Sequence, residues 1–299
     1  MLQVLVPVDV TDANLTSGAT LEDSSAAWNA ATNYAIGDFA HRVATHRRYK
    51  CAVAGISATP PESDPVKWVD YAPTNKFAMY DGYVSTRTAQ ASPLVNVIHA
   101  GFFNALAILG IQDATGLLVE RRDAPGGPVT FTYTDSLEGS MPGDWYDFFF
   151  MPFRPKTRVL LTNLEPFWDA ELTITLTGPG VVQVGMVAFG DMKPLGLTQR
   201  NAKAAFSDYS YIAIDQVTGE NKIKKGSAGR DLDLNATVPL DDATGVVDTL
   251  EELLGVPAVW VGTDMARFEG LFTFGLGVGA MDYDNPTECK LTVNVKGLI

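Results

Sequence analysis

Two stretches of the chain alternate apolar and polar side chains with period two: VTFTYT at 129–134 and ELTITLT at 171–177. A strand sends successive side chains to opposite faces, so this pattern gives one core face and one wet face, and a helix cannot reproduce it. Two denser runs, DWYDFFFMPF at 144–153 and TRVLLTNL at 157–164, read as strands buried on both faces. GVVQVGMVAFG at 180–190 reads as a further strand punctuated by Gly180, Gly185 and Gly190. The clusters DAPGGP, EGSMPGD and TGPG supply turns between them. Short strands at this spacing predict a mainly β chain whose residues 75–194 form a jelly-roll-like β-sandwich.

The flanks read differently. LQVLVPV at 2–8 is a short strand, and a polar loop follows to residue 23. Residues 24–74 carry a dense set of aromatics and close on Pro60, Pro61, Pro65 and Pro73, which predicts a small inserted β module ending near Asn75. At this size it has little core of its own and leans on aromatic packing or on its host. Residues 195–299 read as an α+β unit. YSYIAIDQVTGENKIKKGSA is a hairpin about Thr218–Gly219, and DLDLNATVPL is a strand. DDATGVVDTLEELLG is the clearest helix, with Val246, Val247, Leu250, Leu253 and Leu254 at helical spacing and Gly255 as its stop. PAVWVG, GLFTFGLGVGA and KLTVNVKGL return to strand, and the GLGVG within them reads as a β-edge or bulge.

The sequence offers little catalytic vocabulary. His41, His46 and His99 are the only histidines, and none stands in a zinc or nucleophile motif. The acid pairs Asp144/Asp147 and Asp169/Glu171 read as solvated strand acids rather than the two facing carboxylates of a glycosidase. The reading is therefore a non-enzyme without metal or cofactor. Cys51 and Cys289 are the only cysteines, which rules out a disulfide scaffold and leaves their pairing open. A formal net charge of -13 repels phosphate, so nucleic acid is not expected as a partner. PLVNVIHAGFFNALAILGI is interrupted by Asn96, His99 and Asn104 and reads as core, not as a membrane span. The start has no basic n-region, so synthesis in the cytoplasm without export is expected.

Within 24–74, the flat rings of Trp28, Tyr34, Tyr49 and Trp68 could stack on sugars, or could form the core of a unit with little else to bury. His41 and Arg42 belong to HRVATHRRYK, a basic run that reads as a solvated face or as a docking surface for an acidic neighbour. The order Trp28, Tyr34, Gly37–Asp38, Tyr49-Lys50-Cys51, Pro61, Trp68 resembles the small chitin- and cellulose-binding modules appended to bacterial chitinases. The resemblance implies a turn shaped by Gly37–Asp38 and a carbohydrate site drawn from Trp28, Tyr34, His41, Arg42, Tyr49 and Trp68. His41 and Arg42 stand where that family carries an aromatic, and a second Trp before the proline is missing. Those departures weaken the platform for neutral sugar and favour an acidic glycan.

The remainder, in TNKFAMYDGYVSTRT, FFNALAILGI, WYDFFFMPF and VPAVWVG, resembles a family of bacteriophage tail proteins in which such a module follows the first strand. FAMYDGYVSTRT with FNALAILG is also similar to galactose-binding-like jelly rolls. These resemblances imply a structural virion component of the tail, at the baseplate or tail tip. They further imply a homo-oligomer bound to other tail proteins, with host surface glycan as a contact. A dedicated carbohydrate-binding adsorption protein and a tail-associated glycan hydrolase are the alternatives.

Overall fold

The computed structural model describes the chain except residues 19–20, 138, 140–144, 151–154, 215–220, 227, 264, 266–267, 284 and 299. It is mainly β. The described strands of its body form antiparallel sheets, accompanied by the short helices α1 (Trp145–Phe150) and α2 (Ala243–Glu252). No described helix is long and apolar enough to cross a membrane.

The largest sheet has nine strands. In spatial order they are Arg158–Leu161, Ala105–Leu109, Met186–Thr198, Leu2–Pro7, Ala258–Val261, Phe272–Asp282, Glu288–Gly297, Ala228–Pro239 and Lys203–Asp208. A five-stranded sheet, in the order Val129–Ser136, Gly116–Arg122, Glu171–Thr177, Leu94–His99 and Leu15–Gly18, lies against its first strands. The core between them explains the sequence pattern. Leu172, Ile174 and Leu176 point inward from ELTITLT to meet Leu106, Ile108, Val187 and Phe189 from the large sheet. ALAIL has no polar position because its other face is covered too: Ala105, Ala107 and Leu109 pack with Val259, Val261, Phe272 and Phe274. This is the β-sandwich expected from the alternation.

The large sheet then closes on itself. Leu197 and Thr198 of the long strand Met186–Thr198 pair with Thr237 and Ala236 of Ala228–Pro239. Six strands thereby form a ring, filled by Leu2, Val4, Leu195, Leu232, Leu234, Trp260, Leu291 and Val293, with Val246 and Leu253 of α2 packed onto the same cluster. The C-terminal unit is this ring with its one helix, and it borrows the N-terminal strand. Pro194, where the sequence suggested the sandwich ends, stands inside a strand opposite Gln3. Sandwich and ring therefore share Met186–Thr198 and the sheet runs through the boundary at 194/195.

One local expectation changes. WYDFFF is helix α1, not a buried strand, and its Trp145, Tyr146, Phe149 and Phe150 are exposed. The ring pairs Trp145–Phe149 and Tyr146–Phe150, at 6.4 and 4.9 Å, are four residues apart, a contact that helical spacing allows and a strand does not. GLGVG is not a bulge: it pairs with Glu288–Gly297 without register shift, while on its other side pairing with Ala258–Val261 ends at Gly275, so Leu276–Gly279 stand at an edge there among the described residues. The hairpin strands Tyr211–Ile214 and Asn221–Lys224 pair as expected, but Thr218–Gly219 lies outside the described residues. Cys51 and Cys289 are buried in separate clusters and are both free thiols.

Candidate functional site

The module is a four-stranded sheet in the order Ala26–Ala27, Phe39–Arg42, Arg47–Cys51 and Trp68–Pro73, with Asn33–Tyr34 paired to Gly55–Ile56 beside it. The Gly37–Asp38 turn is shaped as the resemblance implied. Gly37 adopts φ +96, which side chains rarely tolerate, and its N–H reaches the Cys51 carbonyl at 2.8 Å. The Asp38 carboxylate accepts the Ala35 N–H at 2.7 Å, and its carbonyl accepts the Cys51 N–H at 2.8 Å.

Tyr34, Tyr49 and Trp68 are buried, together with Ala40 and Cys51, and form the module's own core. Tyr34 meets Trp68 edge to face, with ring centroids 4.8 Å apart. A ring sealed on both faces offers nothing to a sugar, so these three leave the set of binding residues. Trp28 packs against the same core, and the Arg42 guanidinium covers it at 5.0 Å. Arg42 is itself neutralised by Glu62 at 2.8 Å, a hydrogen bond that holds the Glu62 carboxyl below its usual range. His41 is buried, and its Nδ1 lies 2.9 Å from the Ser25 carbonyl, tying the module's first strands together. The six residues are thus brought together, but as framework rather than as an open platform.

The opposite face of the same sheet carries a different group. Phe39 (38% exposed) and Tyr71 (54%) pack edge to face with centroids 5.0 Å apart. The Arg48 guanidinium lies over both rings, at 5.2 and 5.1 Å, and the Lys50 ammonium stands 6.0 Å from Phe39. Arg47 next door is paired with Asp70 at 2.8 Å. Arg48 has no carboxylate partner among the described residues, and its Nε is buried without a hydrogen-bond acceptor. The rings therefore hold a planar cation in place on this face. Strand parity carries this signal in the sequence: Arg48 and Lys50 alternate with the inward Tyr49 and Cys51, and Tyr71 has the opposite parity to Trp68.

The module is clamped to the body through the turn that precedes Arg47. His46, at φ +50, places Nδ1 2.9 Å from Glu22 and Nε2 2.8 Å from Asp12 while its ring packs on Phe77 at 3.9 Å. Thr74 donates to the same Glu22 carboxylate at 2.8 Å. Entry and exit segments are thus fixed at one corner of the module.

The acid pair Asp169/Glu171 is engaged in separate contacts. Asp169 bonds His99 at 2.6 Å on the surface, while Glu171 is buried beside Arg122 at 3.4 Å. Asp144 lies outside the described residues. Among the described residues no cluster of three His, Cys, Asp or Glu could hold a metal. No protein-family model and no curated protein matches the chain.

Proposed function

We propose that this chain is a non-catalytic structural component of a bacteriophage tail, at the baseplate or tail tip. Several copies would carry the 24–74 module, which contacts acidic glycans of the host surface. The observation that carries the glycan reading is Arg48, held over Phe39 and Tyr71 with no carboxylate partner among the described residues. Rings give an apolar seat for the sugar face, and the guanidinium pairs with its carboxylate or phosphate. This chemistry fits an acidic glycan better than neutral chitin, in line with His41 and Arg42 replacing the aromatic of the chitin-binding modules.

Assembly with other subunits is supported by surfaces that water covers poorly. The hairpin Tyr211–Ile214/Asn221–Lys224 exposes Ile212, Ile214 and Ile223, and a two-stranded ribbon is marginal without a partner. The aromatic face of α1 is a second such patch. The hydrolase alternative draws no support from Asp169 and Glu171, since Asp169 is hydrogen-bonded to His99 and Glu171 is paired with Arg122. The virion placement is tested by peptide mass analysis of purified particles. The chain should co-purify with other tail proteins in a fixed ratio; recovery only as free protein in the lysate would overturn the reading.

A further inference from the structure

A cleft lies where the sandwich meets the ring. One part, of about 880 Å³, is lined by Tyr133, Asp135, Lys156, Arg158, Arg230 and Phe272. A second part, of about 390 Å³, shares Arg158 and Arg230 and adds Arg87 and Phe274. Arg158 opens the sandwich edge strand Arg158–Leu161, and Arg230 belongs to the ring strand Ala228–Pro239.

Each of the two guanidiniums rests on a ring: Arg158 lies 5.3 Å over Phe272, and Arg230 lies 5.6 Å over Phe206. Each donates to one backbone carbonyl, Arg158 to Phe272 at 3.4 Å and Arg230 to Gly270 at 3.2 Å. A guanidinium has five N–H donors, so most of their capacity is unused. The Nε of Arg230 is buried without an acceptor. Neither arginine, nor Arg87, has a carboxylate partner among the described residues. The acid in the cleft, Asp135, is held by Lys156 at 2.8 Å and by the Tyr133 hydroxyl at 3.1 Å. Burial, with the Arg230 charge beside it, pushes the Arg158 pKa down to about 10. Two like charges are thus kept together, partly out of water, in a chain whose acids outnumber its bases by 35 to 22. Such an arrangement is unfavourable unless an opposite charge joins it.

We propose that this cleft binds a doubly charged oxyanion of the phosphate or sulfate class between Arg158 and Arg230, with Arg87 at its rim. A dianion matches two guanidiniums in charge and accepts a forked pair of hydrogen bonds from each. It converts their repulsion into attraction and joins the sandwich edge to the ring. The site is separate from the module patch and does not depend on the glycan reading.

The test uses the full chain. Thermal unfolding and calorimetric titration are run with potassium phosphate and with potassium sulfate, against potassium chloride at matched ionic strength. Phosphate and sulfate should raise the melting temperature saturably, and chloride should not. Arg158→Gln and Arg230→Gln should each weaken phosphate about tenfold or more, the loss expected for one charge-assisted contact. Without phosphate, both variants should melt no lower than the parent chain, because one of two like charges is gone. Arg158→Lys keeps the charge without the fork and should also bind more weakly, so a folding defect in one variant leaves the test intact. Arg200→Gln, at an exposed position that does not line the cleft, should titrate with phosphate as the parent does. Glycerol 3-phosphate, a monoester dianion, separates the sources: affinity equal to that of inorganic phosphate identifies the free ion, and tighter binding identifies a phosphorylated ligand. No saturable effect beyond chloride would overturn the proposal. So would glutamine variants that bind phosphate like the parent.

Discussion

Gly277→Val should disrupt the C-terminal ring and lower the melting temperature of the body more than any surface change. A Cβ at position 277 would stand 2.2 Å from one carbon of the Trp260 ring and within 2.7 Å of two more. Trp260 cannot step aside: it is fully buried, and its Nε1 donates to the Gly275 carbonyl at 3.1 Å. Gly277 is also paired with Val295 of the neighbouring strand, which holds its backbone in register. Overpacking of a filled core costs about 1–3 kcal/mol, and more where neither partner can yield. About 3 kcal/mol or more is expected, a large share of the roughly 5–15 kcal/mol that holds a domain. Gly180→Ala is the control, because a Cβ added there would meet nothing within 4 Å. Calorimetric melting of both variants checks the claim. A Gly277→Val chain that melts with the parent would mean the ring is not filled as described.

Trp68→Ala should unfold the module and leave the body folded. Trp68 is the largest ring of the module core, and its loss also removes the edge-to-face contact with Tyr34. Truncating a buried Trp costs about 3–5 kcal/mol. A unit of about fifty residues rarely holds more than about 3–5 kcal/mol in all. The core around Trp68 is separate from the sandwich core, and the clamp at His46 joins the two through polar contacts and one ring face. Hydrogen exchange should therefore show the Gly37 and Cys51 amides losing protection while Leu106 and Phe189 keep theirs. Phe39→Ala, on the wet face, should leave all four protected. Loss of protection in the sandwich as well would show one cooperative core instead of two.

The sequence conveyed what one wet face makes periodic. ELTITLT announces its inward Leu172, Ile174 and Leu176 because the threonines between them face away from that core. The α2 helix was legible for the same reason, through Val246, Leu250 and Leu253. Dense apolar runs carry no such contrast. ALAIL and WYDFFF both lack an alternating pattern, yet one is a strand covered on both sides and the other a helix with exposed rings. Gly277 of GLGVG makes room for Trp260, seventeen residues upstream, which no local pattern reveals. In the module, the aromatic spacing picked out Trp28, Tyr34, Tyr49 and Trp68, which build its core, and passed over Phe39 and Tyr71 on the other face. Parity separates Tyr49 and Cys51 from Arg48 and Lys50, and only the packing of Trp68 decides which set is inside. Arg158 and Arg230 meet because sandwich and ring share a sheet, and nothing near either residue in the chain foretells it.

The role proposed for the module turns on Arg48, seated on Phe39 and Tyr71, as a receptor for acidic glycans. One such seat gives only weak affinity, of about millimolar order or near -4 kcal/mol. The decisive measurement is therefore multivalent: the full chain displayed on beads against an array of acidic and neutral glycans, beside Arg48→Ala, Arg48→Lys and Tyr71→Ala. Retention on acidic glycans should weaken with salt, fall for Arg48→Lys and Tyr71→Ala, and vanish for Arg48→Ala while the module stays folded. Retention of neutral chitin to the same extent, or Arg48→Ala beads that hold acidic glycans as the parent does, would contradict it.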